Sequence, residues 1–251
     1  MSINSDINTL PEAFQGIKDD EMALSEHVEE FSQRLLFCFL ILTIFTLMSF
    51  VNVGSIVKIV QAPAPGIKFL QFAPGEYFFA SVKIAFFSGL IISSPAILYQ
   101  LALYIFPAMT KKERDIIIPV TLGSGLLFFL GLGFSYFFLI PAALTFFINY
   151  GADIVEPFWS FDQYFDFVAV LIFSTGLTFQ VPVIQVLLGL LGVVSGQKML
   201  SYWKYVVILV TIIAAVITPS TDPITQLLLS FALLSLYLVG AGIVVLLKKE
   251  S

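Results

Sequence analysis

The chain has 251 residues, of which 59% are hydrophobic and 12% charged, and its formal net charge is -5 at pH 7. A soluble domain is about 45–50% apolar and about 25% charged, so the polar surface here cannot cover a water-soluble globule, whereas a bilayer tolerates this composition. A soluble enzyme, a disordered chain and, given the acidic balance, a nucleic-acid binder are disfavoured.

The N-terminal segment carries Asp6, Glu12, Asp19, Asp20 and Glu21 and opens no apolar run there. It is expected to be neither a cleavable secretory signal nor a transit peptide. Leu24, Val28, Phe31 and Leu35 then fall on one face of a helix, with Glu26, Glu29, Glu30 and Gln33 on the other. That pattern predicts an amphipathic helix lying along the membrane surface and feeding the first span. Glu30 and Arg34 have the i,i+4 spacing of a helical ion pair. Its acidic face reads either as a solvated surface or as a docking site for a basic partner.

A spanning helix needs about 20 mostly apolar residues. Six stretches qualify: Leu35 to Val53, Tyr77 to Leu101, Ile116 to Ile140, Tyr164 to Val194, Tyr202 to Ile217 and Pro223 to Leu247. Residues 1–34, 35–247 and 248–251 then form a surface segment, an all-α polytopic membrane domain of six helices, and a tail. Only Thr218 to Asp222 joins the last two helices, so they are predicted as a short hairpin that falls short of the full thickness. The longest loop, Gly54 to Glu76, carries Pro63, Pro65, Gly66, Pro74 and Gly75. Pro63, and Pro95 in the second span, are read as structural.

Lys18, Arg34, Lys111, Lys112, Arg114, Lys198, Lys204, Lys248 and Lys249 all fall on one side of this arrangement. The positive-inside rule places both termini in the cytoplasm or its organellar equivalent, and an even number of spans agrees. Lys83, inside the second span, is expected to snorkel outward. The acidic group Asp153, Glu156, Asp162 and Asp166 reads as a solvated loop. Gly192 and Gly196 read as loop or C-cap glycines. Pro182 is expected to kink the fourth span, and Asp222 to cap the sixth helix.

Chemistry is sparse. The single cysteine, Cys38, excludes an internal disulfide, and the single histidine, His27, excludes a two-histidine metal site. No GxxxxGK[ST] motif is present, so neither metal nor cofactor is expected. Gln180 is polar within a span and reads as interhelical glue or as a contact for a partner helix. Glu113, among Lys111, Lys112 and Arg114, reads as an acceptor for an arginine fork.

The box Glu26-His27-Val28-Glu29-Glu30-Phe31-Ser32-Gln33-Arg34-Leu35 resembles the N-terminal signature of the TatC family, the multispanning subunit of the twin-arginine protein translocase. The resemblance continues through Ser94-Pro95-Ala96-Ile97-Leu98-Tyr99-Gln100, Phe106-Pro107-Ala108, Lys112-Glu113-Arg114 and Phe179-Gln180-Val181-Pro182-Val183, ending at Thr218-Pro219 and Asp222. It implies a non-enzymatic receptor for the signal peptides of folded precursors, with export across the membrane driven by the proton gradient. It further implies assembly with TatA/TatB-type single-span subunits and with copies of itself. By resemblance, Glu30 and Glu113 form the signal-peptide site, with Tyr104 and Pro107 shaping it, and Gln180 and Pro182 face a partner helix. Ser32 departs from the family, which often has a basic residue there. Gln180 replaces the Glu of many bacterial members and matches plastid and cyanobacterial ones, pointing to a thylakoid membrane ahead of a bacterial inner membrane. The alternative reading, a small-solute or ion transporter, would favour several ionisable groups at mid-membrane and an internal repeat. The spans carry neither.

Overall fold

The computed structural model describes residues 12–105, 111–150, 158–218 and 222–249, with side chains described from residue 28 onward except at 105, 111–118 and 248–249. The helices are α1 (Glu12–Val51), α2 (Val53–Gln61), α3 (Glu76–Ile105), α4 (Lys111–Phe134), α5 (Ile140–Asn149), α6 (Phe161–Thr178), α7 (Val181–Leu190), α8 (Gly196–Ser201), α9 (Trp203–Ile217) and α10 (Pro223–Lys249). Two short strands, β1 (Phe69–Leu70) and β2 (Trp159–Ser160), pair in parallel, with Phe69 opposite Trp159. Among the described residues, five apolar stretches are long enough to cross a membrane: Val28–Val51, Glu76–Tyr104, Pro119–Asn149, Phe161–Leu190 and Pro223–Leu247, with Trp203–Ile217 as a shorter sixth.

The predicted surface helix and first span are one continuous helix, α1. Neither Gly nor Pro occurs between Gly16 and Gly54, so no residue interrupts the backbone near Arg34. The stretch read as the longest loop contains α2, and Pro63 lies in the turn that follows it.

The third span runs further than predicted. A π-helical turn at Ser135–Leu139, with the Ile140 N–H bonded to the Ser135 carbonyl, joins α4 to α5. Pro141 follows directly. Its missing N–H and bulky ring are accommodated by this widened turn, so the proline does not end the span.

At Pro182 the structure shows a break where a kink was expected. α6 ends at Thr178 and α7 begins at Val181, and the Gln180 N–H bonds the Leu177 carbonyl at 3.0 Å. Proline suits the first turn of a helix, so the sequence restarts the helix there. α7 closes on Gly192 (φ 71°), whose N–H reaches the Gly189 carbonyl. Gly196, by contrast, opens α8 and packs against α10, where a Cβ would lie 2.7 Å from the Val245 nitrogen.

The expectation of two short final helices needs correction: α9 has 15 residues, but α10 has 27. Thr218-Pro219 stops α9, while α10 starts at Pro223 and meets no further proline before its end. Asp222, fully buried, holds that start: Oδ1 accepts from the Ile224 N–H at 3.0 Å and Oδ2 from the Thr225 N–H at 3.1 Å.

The main core collects Leu139, Ile140, Leu144, Val168, Leu171, Val210, Leu229 and Leu233 from α5, α6, α9, α10 and the π turn. Helices close on one another through glycines. At Gly89, α1 and α3 approach so closely that a Cβ would sit 2.7 Å from the Thr46 backbone nitrogen. At Gly240, α10 meets α7 at Pro182, where a Cβ would sit 2.8 Å from its Cα.

Lys83 does not snorkel. Its ammonium donates to both oxygens of Asp162 (2.9 and 3.1 Å) and of Asp166 (3.0 and 2.9 Å), tying α3 to α6. Asp162 and Asp166 are therefore one turn apart on a helix rather than in a solvated loop, while Asp153 and Glu156 lie outside the described residues. Lys83→Met leaves two carboxylates facing each other without a cation. Because all three groups are partly exposed, the expected loss is modest, about 1 kcal/mol, and appears as a lower thermal midpoint in detergent. An unchanged midpoint would mean the pairing contributes nothing.

At this strand end of the bundle, Glu76 accepts from the Ser160 hydroxyl (2.6 Å) and from the N–H groups of Phe72 (2.6 Å) and Ala73 (3.1 Å). Tyr164 and Tyr136 donate to the carbonyls of Val60 and Ile59, both at 2.8 Å. These bonds pin α2 and the strands over the ends of α3 and α6.

Candidate functional site

At the opposite end of α3, its last turns pack against α1 and form a narrow cleft of about 200 Å³ lined by Phe31, Arg34, Leu35, Cys38, Ile97, Gln100, Leu101 and Tyr104. Positions 31, 34, 35 and 38 follow the 3-4 spacing of one helix face, as do 97, 100, 101 and 104, so each helix presents a stripe to the other. The Phe31 and Tyr104 rings lie 5.3 Å apart at 57°.

The polar rim of this cleft is an ion pair. Arg34 Nε donates to Glu30 Oε1 at 3.2 Å, and Arg34 Nη2 donates to that same oxygen. Arg34 Nη1 reaches Gln100 Oε1 at 3.4 Å. The side chains remain 22% (Arg34) and 35% (Glu30) exposed. An ion pair this accessible contributes about 0–1 kcal/mol, so its partners can be exchanged at low cost. Glu30 is therefore a carboxylate already shaped to hold a guanidinium.

The structure thus brings Glu30 and Tyr104 to one cleft through Arg34, Gln100 and Phe31. Gln100 was not singled out from the sequence as a site residue; its one signal was a polar side chain in the last turns of an apolar span. The Glu113 position lies in the first turn of α4, but its side chain lies outside the described residues, as does Pro107 entirely.

A second cavity, of about 270 Å³, lies between α3, α4, α6 and α7. Its described lining is apolar apart from Thr121, Ser124 and Gln180. Gln180 is buried, accepts from the Ser124 hydroxyl at 2.6 Å and donates to the Ser124 carbonyl at 3.2 Å. Ser124 was missed because nothing in the sequence links positions 56 residues apart. The turn ahead of Pro182 sets Gln180 against α4. Both roles read for Gln180 remain compatible with this geometry: it bridges two helices, and it borders a cavity wide enough for an apolar side chain. Pro95 stands inside α3 and Pro182 in the first turn of α7. Among the described residues, no group of three or more His, Cys, Asp or Glu could hold a metal ion.

Residues 26–231 match the family described as Sec-independent protein translocase protein (TatC). The chain is 49% identical over 242 residues to the Sec-independent protein translocase protein TatC of a Synechocystis species, covering 96% of this chain and 95% of that protein. It is 52% identical over 228 residues to the chloroplastic Sec-independent protein translocase protein TATC of Pisum sativum, covering 90% of this chain and 65% of that one. A crystal structure of the twin-arginine translocase receptor TatC superposes with a TM-score of 0.75 at 32% identity, covering 88% of this chain and 98% of the other.

Proposed function

The chain belongs to the TatC family, and from that premise we propose that the α1–α3 cleft, with Glu30 at its rim, is where the paired arginines of a signal peptide are read. The protein is the receptor subunit of the twin-arginine translocase, a multi-pass membrane protein of the plastid and cyanobacterial type, and is not an enzyme. One observation carries the assignment of the cleft: Glu30 already binds a guanidinium, that of Arg34, in an accessible pair beside Gln100. An incoming arginine displaces Arg34 at a cost of about 0–1 kcal/mol and makes a stronger charge-assisted pair with the carboxylate, with the Phe31 and Tyr104 rings as an apolar wall.

In this reading Glu113 supplies the second carboxylate, so that each arginine of the pair meets one, and Pro107 shapes the loop before it. Both termini face the cytoplasm or stroma, which the clustering of basic residues supports. The cavity beside Gln180 and Pro182 receives a helix of a TatA/TatB-type subunit, its amide and apolar lining suiting an apolar helix with one polar group. The receptor works as several copies in a larger complex, exports folded precursors at the expense of the proton gradient, and resides in a thylakoid membrane, which the plastid and cyanobacterial relatives support.

The test is capture of a twin-arginine precursor by the detergent-solubilised protein. Changing both precursor arginines to lysine keeps the charge but removes the planar fork, and capture is expected to fall at least tenfold. Equal capture of both precursors would refute fork recognition.

A further inference from the structure

The strand end of the bundle holds a cavity that the receptor reading does not use. It measures about 600 Å³ and is bordered by β2 and the adjoining ends of α5 and α6. We propose that it is a binding site for the head group of an uncharged, polyhydroxylated lipid, a glycosyl diacylglycerol in chemical class.

Four observations support that occupant. The first is the wall. Tyr150, Phe158, Trp159, Tyr164 and Phe167 all line the cavity; Tyr164 is buried against Phe69 and Trp159 and backs the wall, while the Tyr150 and Phe158 rings are exposed. Flat ring faces suit the C–H faces of a sugar and offer little to a compact charged group.

The second is the set of open polar groups. Trp159, Gln163 and Tyr150 line the cavity, and the indole N–H, side-chain amide and hydroxyl they carry have no hydrogen-bond partner among the described residues. They comprise one donor, one donor–acceptor pair and one hydroxyl, and so match several hydroxyls. The Tyr164 and Ser160 hydroxyls are already committed, to the Val60 carbonyl and to Glu76.

The third is charge. None of the described lining residues is cationic, and the nearby Lys83 is held by Asp162 and Asp166. An anionic phosphate head group would find no counter-ion in the lining and two carboxylates on the next turns of α6.

The fourth is depth. The cavity lies where α6 begins and α5 ends, the level at which a spanning helix leaves the hydrocarbon. Leu144, Phe147 and Ile148 continue the lining along α5, a path for acyl chains below the head group. A volume of 600 Å³ is within the range of about 300–1,000 Å³ usual for small-molecule sites.

The experiment uses the two tryptophans as reporters. Trp203→Phe leaves Trp159 alone in the full chain. In phosphatidylcholine nanodiscs containing a minor fraction of lipid brominated on its acyl chains, Trp159 fluorescence is expected to be quenched at least threefold more by brominated glycosyl diacylglycerol than by brominated phosphatidylcholine or phosphatidylglycerol. The Trp159→Phe variant, reporting from Trp203, should show no such preference. Gln163→Leu in the Trp203→Phe background should reduce the preference while leaving the far-UV circular dichroism intact. Equal quenching by all three lipids would mean ordinary annular lipid fills the cavity. Stronger quenching by the phosphatidylglycerol would mean an anionic site, and either result overturns the proposal.

Discussion

Gly89→Leu is expected to detach helix α1 from the bundle. Among the described residues, α1 packs almost entirely on α3, and few residues of its apolar stretch are buried. Their contact closes at Gly89, where even a Cβ would lie 2.7 Å from the nitrogen and 2.8 Å from the Cα of Thr46. Backbone atoms cannot step aside as a flexible side chain can. Overpacking of a closed interface costs about 1–3 kcal/mol, and among the described residues α1 has no second substantial partner to retain it. Crosslinking of the native Cys38 to a cysteine introduced at Ile97, both lining the same cleft, reads this directly. It should fall at least tenfold in Gly89→Leu, with Gly89→Ala intermediate. Retained crosslinking would show that α1 is held by something other than this contact. Since Glu30, Phe31 and Arg34 ride on α1, signal-peptide capture should fall in parallel.

The second large effect concerns Glu30 itself. Glu30→Gln keeps the shape and removes the charge, so an arriving guanidinium loses a charge-assisted bond worth about 1.5–3 kcal/mol. At about 1.4 kcal/mol per tenfold, capture of a twin-arginine peptide should weaken by roughly 10- to 100-fold. Arg34→Met makes the opposite prediction. It removes the resident competitor for the carboxylate, so capture should stay constant or tighten. If Arg34→Met weakens capture as much as Glu30→Gln does, Arg34 positions the peptide rather than yielding to it, and the exchange described above is wrong.

The places of the six apolar helices were readable because length and hydropathy are properties of contiguous residues, and a bilayer demands both. The Glu30–Arg34 pair was readable for a related reason: four residues is one turn. What escaped reading depends on distant residues or on backbone alternatives. Lys83 looked like a snorkelling lysine because its partners are 79 and 83 positions away. Gln180 could be read as polar within a span, but not as bonded to Ser124. Proline limits the backbone without choosing the outcome. Pro95 stays within a helix, Pro141 follows a π-helical turn, and Pro182 restarts a helix, according to what packs around each. Of the residues predicted for the arginine site, Glu30 is positioned by its own helix, whereas the Glu113 side chain and Pro107 lie outside the described residues.

The difference in length between α9 and α10 bears on the lipid. Fifteen residues of α9 give about 22 Å of helix at about 1.5 Å per residue, against a hydrocarbon slab of about 30 Å. α10, beside it, is long enough to cross. The shortfall is therefore confined to one flank of the protein, and the bilayer must dimple toward α9 while keeping its normal thickness along α10. Each ångström of dimple costs a fraction of a kcal/mol in elastic strain, and this strain is present before any other protein arrives. A second short hydrophobic helix placed against α9 would share the same thinned patch, and pooling the strain would draw the two together without any specific contact between them.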